Sequence, residues 1–409
     1  MIDMRQIASA MLGRSRVPIS VIRSFGLGID QARLMHHLIG NGLSKPYADE
    51  RHLAEAMNWL CRAQDACQGQ GVSAVYDLRK GWDVAYPETS GYIMATYLAY
   101  AEMMGDRTYI DRAIRIGDWE TSIQTAGGGI LSHPDRAITR VFNTGQVILG
   151  WCALYEATKN AAHLDAARKA GHYLVRIQER DGSWVQDTYC GARTYHARVD
   201  WSLLRLSALS GDSRFAQAAA RNIAWVLRQQ RPNGWFANCG FNNDDPIMHV
   251  IVYTLRGLLE CHLTNDSAIR EMDLLSAVIR SADALCDAVE QDPVRGIPWL
   301  VPTSYDPEWK SADRHSCLTG NAQFACFLYR LARHRNNERY RHTADKVLNA
   351  TLATVLIDTP FPQINGALAG SYPFYLGYHR LSYPNWATKF LADALMMKIG
   401  FDMNLAIKA

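Results

Sequence analysis

The sequence predicts an all-α fold, an (α/α)6 toroid of six helical hairpins closed into a ring, with an N-terminal helical extension. Three observations carry this expectation. Apolar helices that open after a loop recur near Gly91, Asn143, His196, Pro246, Thr319 and Asn385. The first five break at a short polar turn and are each followed by a second, more amphipathic helix. The sixth, residues 385–400, has no helix after it, and an unpaired amphipathic helix over residues 51–67 lies near the N-terminus. Pairing first with last gives six inner and six outer helices. Repeats of this kind bury their apolar faces only against their neighbours.

Residues 1–43 read as the extension and 44–409 as the toroid. The extension carries Arg5, Arg14, Arg16 and Arg23 among apolar residues. A helix across the closed end of the ring is the expected reading, and membrane-surface contact is the alternative. The inner-to-outer turns are Gly105-Asp106-Arg107, Lys159-Asn160, Gly211-Asp212, Thr264-Asn265-Asp266 and Arg335-Asn336-Asn337. The outer-to-inner connections are long, over residues 68–90, 125–142, 180–195, 231–245, 291–318 and 358–384. In a closed ring these six loops share one rim with the N-termini of the inner helices. Long structured loops in a compact domain usually carry function, and helix N-termini add free backbone donors and partial positive charge. The site is therefore expected in that mouth.

Bulk properties narrow the class. The chain has 409 residues, 48% of them hydrophobic, and no Pro/Gly/Ser linker divides it, so one toroid plus the extension is expected. A net charge of +3 without basic blocks argues against nucleic acid. Residues 1–21 lack an apolar core of secretory length, and no apolar run is long enough for a bilayer. Nine cysteines without a CxxC pair suit a reduced, cytoplasmic protein with buried thiols. No metal ligand set is legible, and no cofactor is expected.

Two segments at outer-helix ends, Gln178-Glu179-Arg180-Asp181-Gly182-Ser183-Trp184 and Gln229-Gln230-Arg231-Pro232-Asn233-Gly234-Trp235, resemble the QW punctuation of α/α toroids, including squalene and oxidosqualene cyclases. Gln ties the helix end, Gly permits a left-handed exit and Trp packs back over the hairpin. A triterpene cyclase also needs a DxDD acid, which is absent, and Asp244-Asp245-Pro246-Ile247-Met248 is not a DDxxD diphosphate site. A second resemblance spans most of the chain. The segments from Trp82 to Tyr92, Thr319 to Gln323, Gly370 to Pro373 and Tyr383 to Phe390 are similar to bacterial toroid proteins of exopolysaccharide and surface-glycan synthesis, often labelled prenyltransferase-like. The fold also resembles six-hairpin glycosidases, uronate lyases and sugar epimerases. These resemblances imply a carbohydrate substrate and leave the reaction open.

The mouth composition suits a sugar. Trp82, Tyr86, Tyr92, Tyr195, Tyr372, Tyr378 and Trp386 offer aromatic faces for pyranose rings. Asp83, His133, Asn143, Gln146, His315, Asn321, Gln323, Asn385 and Lys389 offer partners for hydroxyls, and Arg198 one for an anionic sugar. Glu88, behind Tyr86-Pro87, reads as a general acid with a raised pKa, or as a helix cap. His196 and Asp200 share one helix face and read as an oriented base, or as a satisfied surface pair. Asp244, Asp245 and His249 open the fourth inner helix. Three readings stay open. One is glycosidase chemistry, with Glu88 as acid and Asp200, Asp244 or Asp245 as base. Another is a uronate lyase or epimerase, with Tyr or His removing a carbon-bound proton. The last is a non-catalytic glycan-binding or assembly protein.

Overall fold

A computed structural model of the chain describes residues 29–41, 43–44, 47–242, 245–291 and 293–403. The first described helix is α1 (Ile29–Asn41). The inner helices are α3 (Pro87–Met104), α5 (Val141–Thr158), α7 (Ala197–Ser210), α9 (Met248–Thr264), α11 (Leu318–Arg335) and α13 (Asn385–Asp402). The outer helices are α2 (Asp49–Asp65), α4 (Thr108–Ile123), α6 (Ala161–Arg176), α8 (Ser213–Leu227), α10 (Leu274–Gln291) and α12 (Glu338–Leu352). Each inner helix packs on the next, α13 returns to α3, and α13 also packs on α2, so the ring closes as the unpaired ends require. No helix among the described residues is long and apolar enough to cross a membrane.

Close inner-helix packing depends on glycine. A Cβ at Gly150 would fall 2.1 Å from the Gly91 carbonyl oxygen, and one at Gly257 would fall 2.5 Å from the Ala197 backbone. The first five inner helices end in a left-handed residue, Gly105, Lys159, Gly211, Asn265 or Asn336. One position later, Asp106, Asn160, Asp212, Asp266 or Asn337 accepts the N–H two residues on and starts the return. These side chains turn the polar breaks of the sequence into reversals.

The QW punctuation proves broader than its two legible copies. Gln64, Gln124, Gln178 and Gln230 each donate to a carbonyl of the next outer helix, at Arg112, Ala166, Ala218 and Ala277. Each also donates to a carbonyl of its own following loop. The outer ring is thus stitched by amides, Gln64 buried and the other three half-buried, whose loss would leave both bonded carbonyls without these partners.

The mouth is not purely helical. Strands β1 (Val75–Asp77) and β2 (Gly81–Trp82) pair, and β1 also pairs with β7 (Ser382–Pro384), tying the first loop to the last. A hairpin of β3 (Leu131–His133) and β4 (Arg136–Thr139) rises from the second loop, and β5 (Ser316–Cys317) pairs with β6 (Ser371–Tyr372). Adjacent long loops emerge side by side, and their backbone groups satisfy one another. Helix α1 meets the mouth side, where His37 packs on Phe361 at 5.2 Å and bonds to Thr359 at 3.0 Å, both in the last mouth loop. The segment with Arg5, Arg14, Arg16 and Arg23, expected as a helix across the closed end, lies outside the described residues. All nine cysteines are free thiols, six of them buried.

Candidate active site

The mouth holds a cavity of about 600 Å³. Its lining includes Asp83, Tyr86, Glu88, His133, Tyr189, Phe241, His249, Tyr253, Tyr378, His379 and Trp386. That volume lies within the usual range for small-molecule sites, and the walls are mainly apolar with a few polar groups. Of the candidates read from the sequence, Asp83, Tyr86, Glu88, His133, His249, Tyr378 and Trp386 meet here.

Glu88 stands in the first turn of α3 and makes no capping bond. Its Oε2 instead lies 3.3 Å from the Tyr86 hydroxyl and 3.4 Å from that of Tyr189. Burial pushes its pKa up to about 7, against the opposing pull of the two phenols and of the Arg198 charge. Both phenol hydroxyls donate toward Glu88, which favours the carboxylate, while burial, the larger effect, favours the acid. Tyr189 also lies 3.1 Å from the Asn143 Oδ1 and 3.0 Å from the Tyr86 hydroxyl, and Asn143 donates its Nδ2 to the Leu131 carbonyl at 3.2 Å.

His249 and His379 are neutral imidazoles at ordinary pH. Burial lowers His249 to about 3, helped by the His379 charge, and lowers His379 to about 4. His249 stacks at 4.7 Å on Tyr378, and His379 packs its edge at 4.8 Å against Trp386. Asp83 is exposed at the rim, where its Oδ1 accepts the Val84 N–H.

The other candidates are elsewhere, for physical reasons. His196 is buried between Trp184 and Tyr195, held near 3 by burial, with neither ring nitrogen bonded. Asp200 is fully buried against α8, accepts from Asn222 at 2.7 Å, and is pushed well above the carboxylate range by burial. Neither lines the cavity, so the proposed oriented base is absent. Asp245 is exposed outside the cavity lining, and Asp244 lies outside the described residues. Asn321 ties Val301, Ser316 and Cys317, and Asn385 donates to the Val72 and Ser73 carbonyls. Both hold loops. His315 bonds to Thr303, Trp82 packs on Trp59 and Tyr76, and Tyr195 packs on Phe142 and Phe241. Tyr372 lines a separate cavity. Gln146 accepts from Arg198 at 2.9 Å beneath the floor, where Tyr92, Gln323 and Lys389 are also buried.

Sequence reasoning singled out none of Tyr189, Tyr253 and His379 for a role. The signal for Tyr253 was available, since it stands one turn beyond His249 on the same helix face. His379 sits in an irregular loop at φ +46°, which no periodicity marks.

No protein-family model and no curated sequence relative matches the chain. Solved structures do. An unsaturated glucuronyl hydrolase specific for heparin superposes with a TM-score of 0.69 at 13% identity, over 88% of this chain and 99% of that one. A sugar epimerase from a ruminal bacterium gives 0.69 at 10% identity, over 88% and 99%. Cellobiose 2-epimerase from Bacillus thermoamylovorans B4167 gives 0.65 at 10% identity, over 85% and 97%. At these identities the likeness establishes the (α/α)6 fold.

Proposed function

We propose that this chain is a carbohydrate-active enzyme in which Glu88 supplies a proton to a sugar held in the mouth. The observation that carries the reading is a carboxyl group that burial poises near neutral pH on an aromatic-walled cavity, within reach of two phenol hydroxyls. A general acid works best with its pKa near the working pH. Trp386, Tyr378 and Tyr86 give faces for a pyranose ring, and His133 and Asp83 give partners for its hydroxyls. In hydrolysis, Glu88 protonates the departing glycosidic oxygen and the solvent-facing carboxylate of Asp83 activates water. Asp83 takes the place that Asp200 cannot fill. The resemblance to surface-glycan toroids makes an oligosaccharide of that origin the substrate class to try first.

A second reading rests on a specific observation. His249 and His379 are neutral imidazoles on the same cavity, and neutral imidazole is the form that removes a carbon-bound proton. With Glu88 delivering a proton to the opposite face of that carbon such a site epimerises, and with Glu88 protonating the departing oxygen instead it eliminates. Turnover of an oligosaccharide panel in heavy water separates the readings. Hydrolysis yields saturated products with new reducing ends and no carbon-bound deuterium, elimination yields an unsaturated sugar, and epimerisation yields deuterium at a ring carbon with chain length unchanged. No turnover and no saccharide binding across the panel would overturn both.

A further inference from the structure

Two turns below the mouth, the ring axis carries a second, much smaller void of about 30 Å³. The ninth residue of five inner helices lines it: Ala95, Leu149, Arg205, Arg256 and Asp393. Arg198 and Lys389 also face it. Cation count exceeds anion count here. Lys389 pairs with Asp393, which also accepts from Thr96 at 2.8 Å. Arg256 pairs with Glu260 at 2.7 Å, and Arg330 shares that carboxylate at 2.9 Å. Arg205 is neutralised by Glu156. Arg198 is 4% exposed. Its Nε donates to the neutral amide of Gln146, and the rings of Tyr253, Trp201 and Phe390 surround its guanidinium at 5.2–5.9 Å. The buried axis therefore holds Arg198, Arg256 and Lys389 against Glu260 and Asp393, an excess of one positive charge.

Glu88 and Asp393 act on Arg198 only at longer range, with no carboxylate in bonding distance, and a buried charge so placed costs free energy that a directly bound partner recovers. We infer that this void is a binding site for a small monovalent inorganic anion of the chloride class, held by Arg198. The size fits, since a void needs roughly 10–15 Å³ of this kind of space to hold one water and a halide is only slightly larger than a water. Asp393 does not repel the ion decisively, because both its oxygens are engaged by Thr96 and Lys389. Trp201 and Arg205 are half-buried and give the ion a way in from solvent.

The test needs no substrate, so its outcome is independent of the reaction proposed above. Crystals of the full chain soaked in bromide should show one anomalous peak in the void beside Arg198. A map with only water there overturns the inference. Melting is then compared in sodium chloride and in sodium gluconate of equal ionic strength. Chloride should raise the melting temperature saturably, since a tenfold excess over Kd multiplies the folded-to-unfolded ratio about elevenfold. Arg198→Gln should abolish that difference while keeping the helical circular dichroism spectrum. A chloride effect that survives in Arg198→Gln is general screening and refutes the site. Should Arg198→Gln not fold, the bromide map of the unaltered protein decides.

Discussion

Replacing Glu88 with Gln separates catalysis from architecture because the two readings of this residue demand opposite changes in stability. At pH 7 a carboxyl of pKa about 7 is half protonated, whereas an ordinary glutamic acid is protonated in only about one molecule in a few hundred. The folded protein therefore holds the Glu88 proton more tightly than the unfolded chain does. Below about pH 4.5 both states are protonated and Glu88 is neutral in its effect. Between about 4.5 and 7 the unfolded chain ionises first, and stability falls as pH rises. At roughly 1.4 kcal/mol per pH unit, the ceiling on that loss is about 3 kcal/mol. Solvent reaching the cavity reduces it, because Glu88 is only half-buried. Glu88→Gln removes the ionisation and keeps the shape. Urea unfolding should thus find Glu88→Gln equal to the parent at pH 4 and more stable at pH 8, by up to about 3 kcal/mol. Turnover on an active saccharide should fall by about 10²–10⁴-fold. A helix-capping Glu88 would instead lose about 1 kcal/mol on substitution at pH 8 and keep its rate. That pairing would refute the reasoning.

Three further outcomes follow from the packing. Gly150→Ala forces a methyl into the Gly91 carbonyl and should cost about 1–3 kcal/mol by thermal or urea melting. Asp200→Asn should leave turnover within about twofold, since the group is buried off the cavity. The parent should lose stability relative to Asp200→Asn as pH climbs above the ordinary carboxylate range, because burial raises the Asp200 pKa. Trp386→Ala should raise KM by roughly 2- to 10-fold with a smaller effect on kcat, as expected for loss of one stacking face.

The toroid was legible because each inner helix must be apolar nearly all round and each outer helix only on one side. That contrast, repeated, located the six inner helices, with the first opening at Pro87 rather than Gly91 because proline suits the first turn. The closure of α13 on α2 followed from counting unpaired helices. The site was only partly legible. Glu88, His249, His196 and Asp200 all lie in the first turn or so of inner helices, yet only the first two face the lumen. Successive helical residues are rotated by about 100°, and the sequence does not say where a helix turns its face within the ring. The cross-helix bond between Gln146 and Arg198 depends on ring register, and the Tyr189 hydroxyl reaches Glu88 from another loop. Neither spacing nor period encodes such contacts. The strand pairs escaped notice because segments of two to four residues carry no alternation.

The central claim is a neutral acid at the cavity floor, and the most direct measurement of it is a carbon-13 NMR titration of the Glu88 carboxyl, assigned by the signal lost in Glu88→Gln. The account predicts a titration midpoint near pH 7 in the free protein. A midpoint near 4.5, the value of an ordinary glutamic acid, would contradict it.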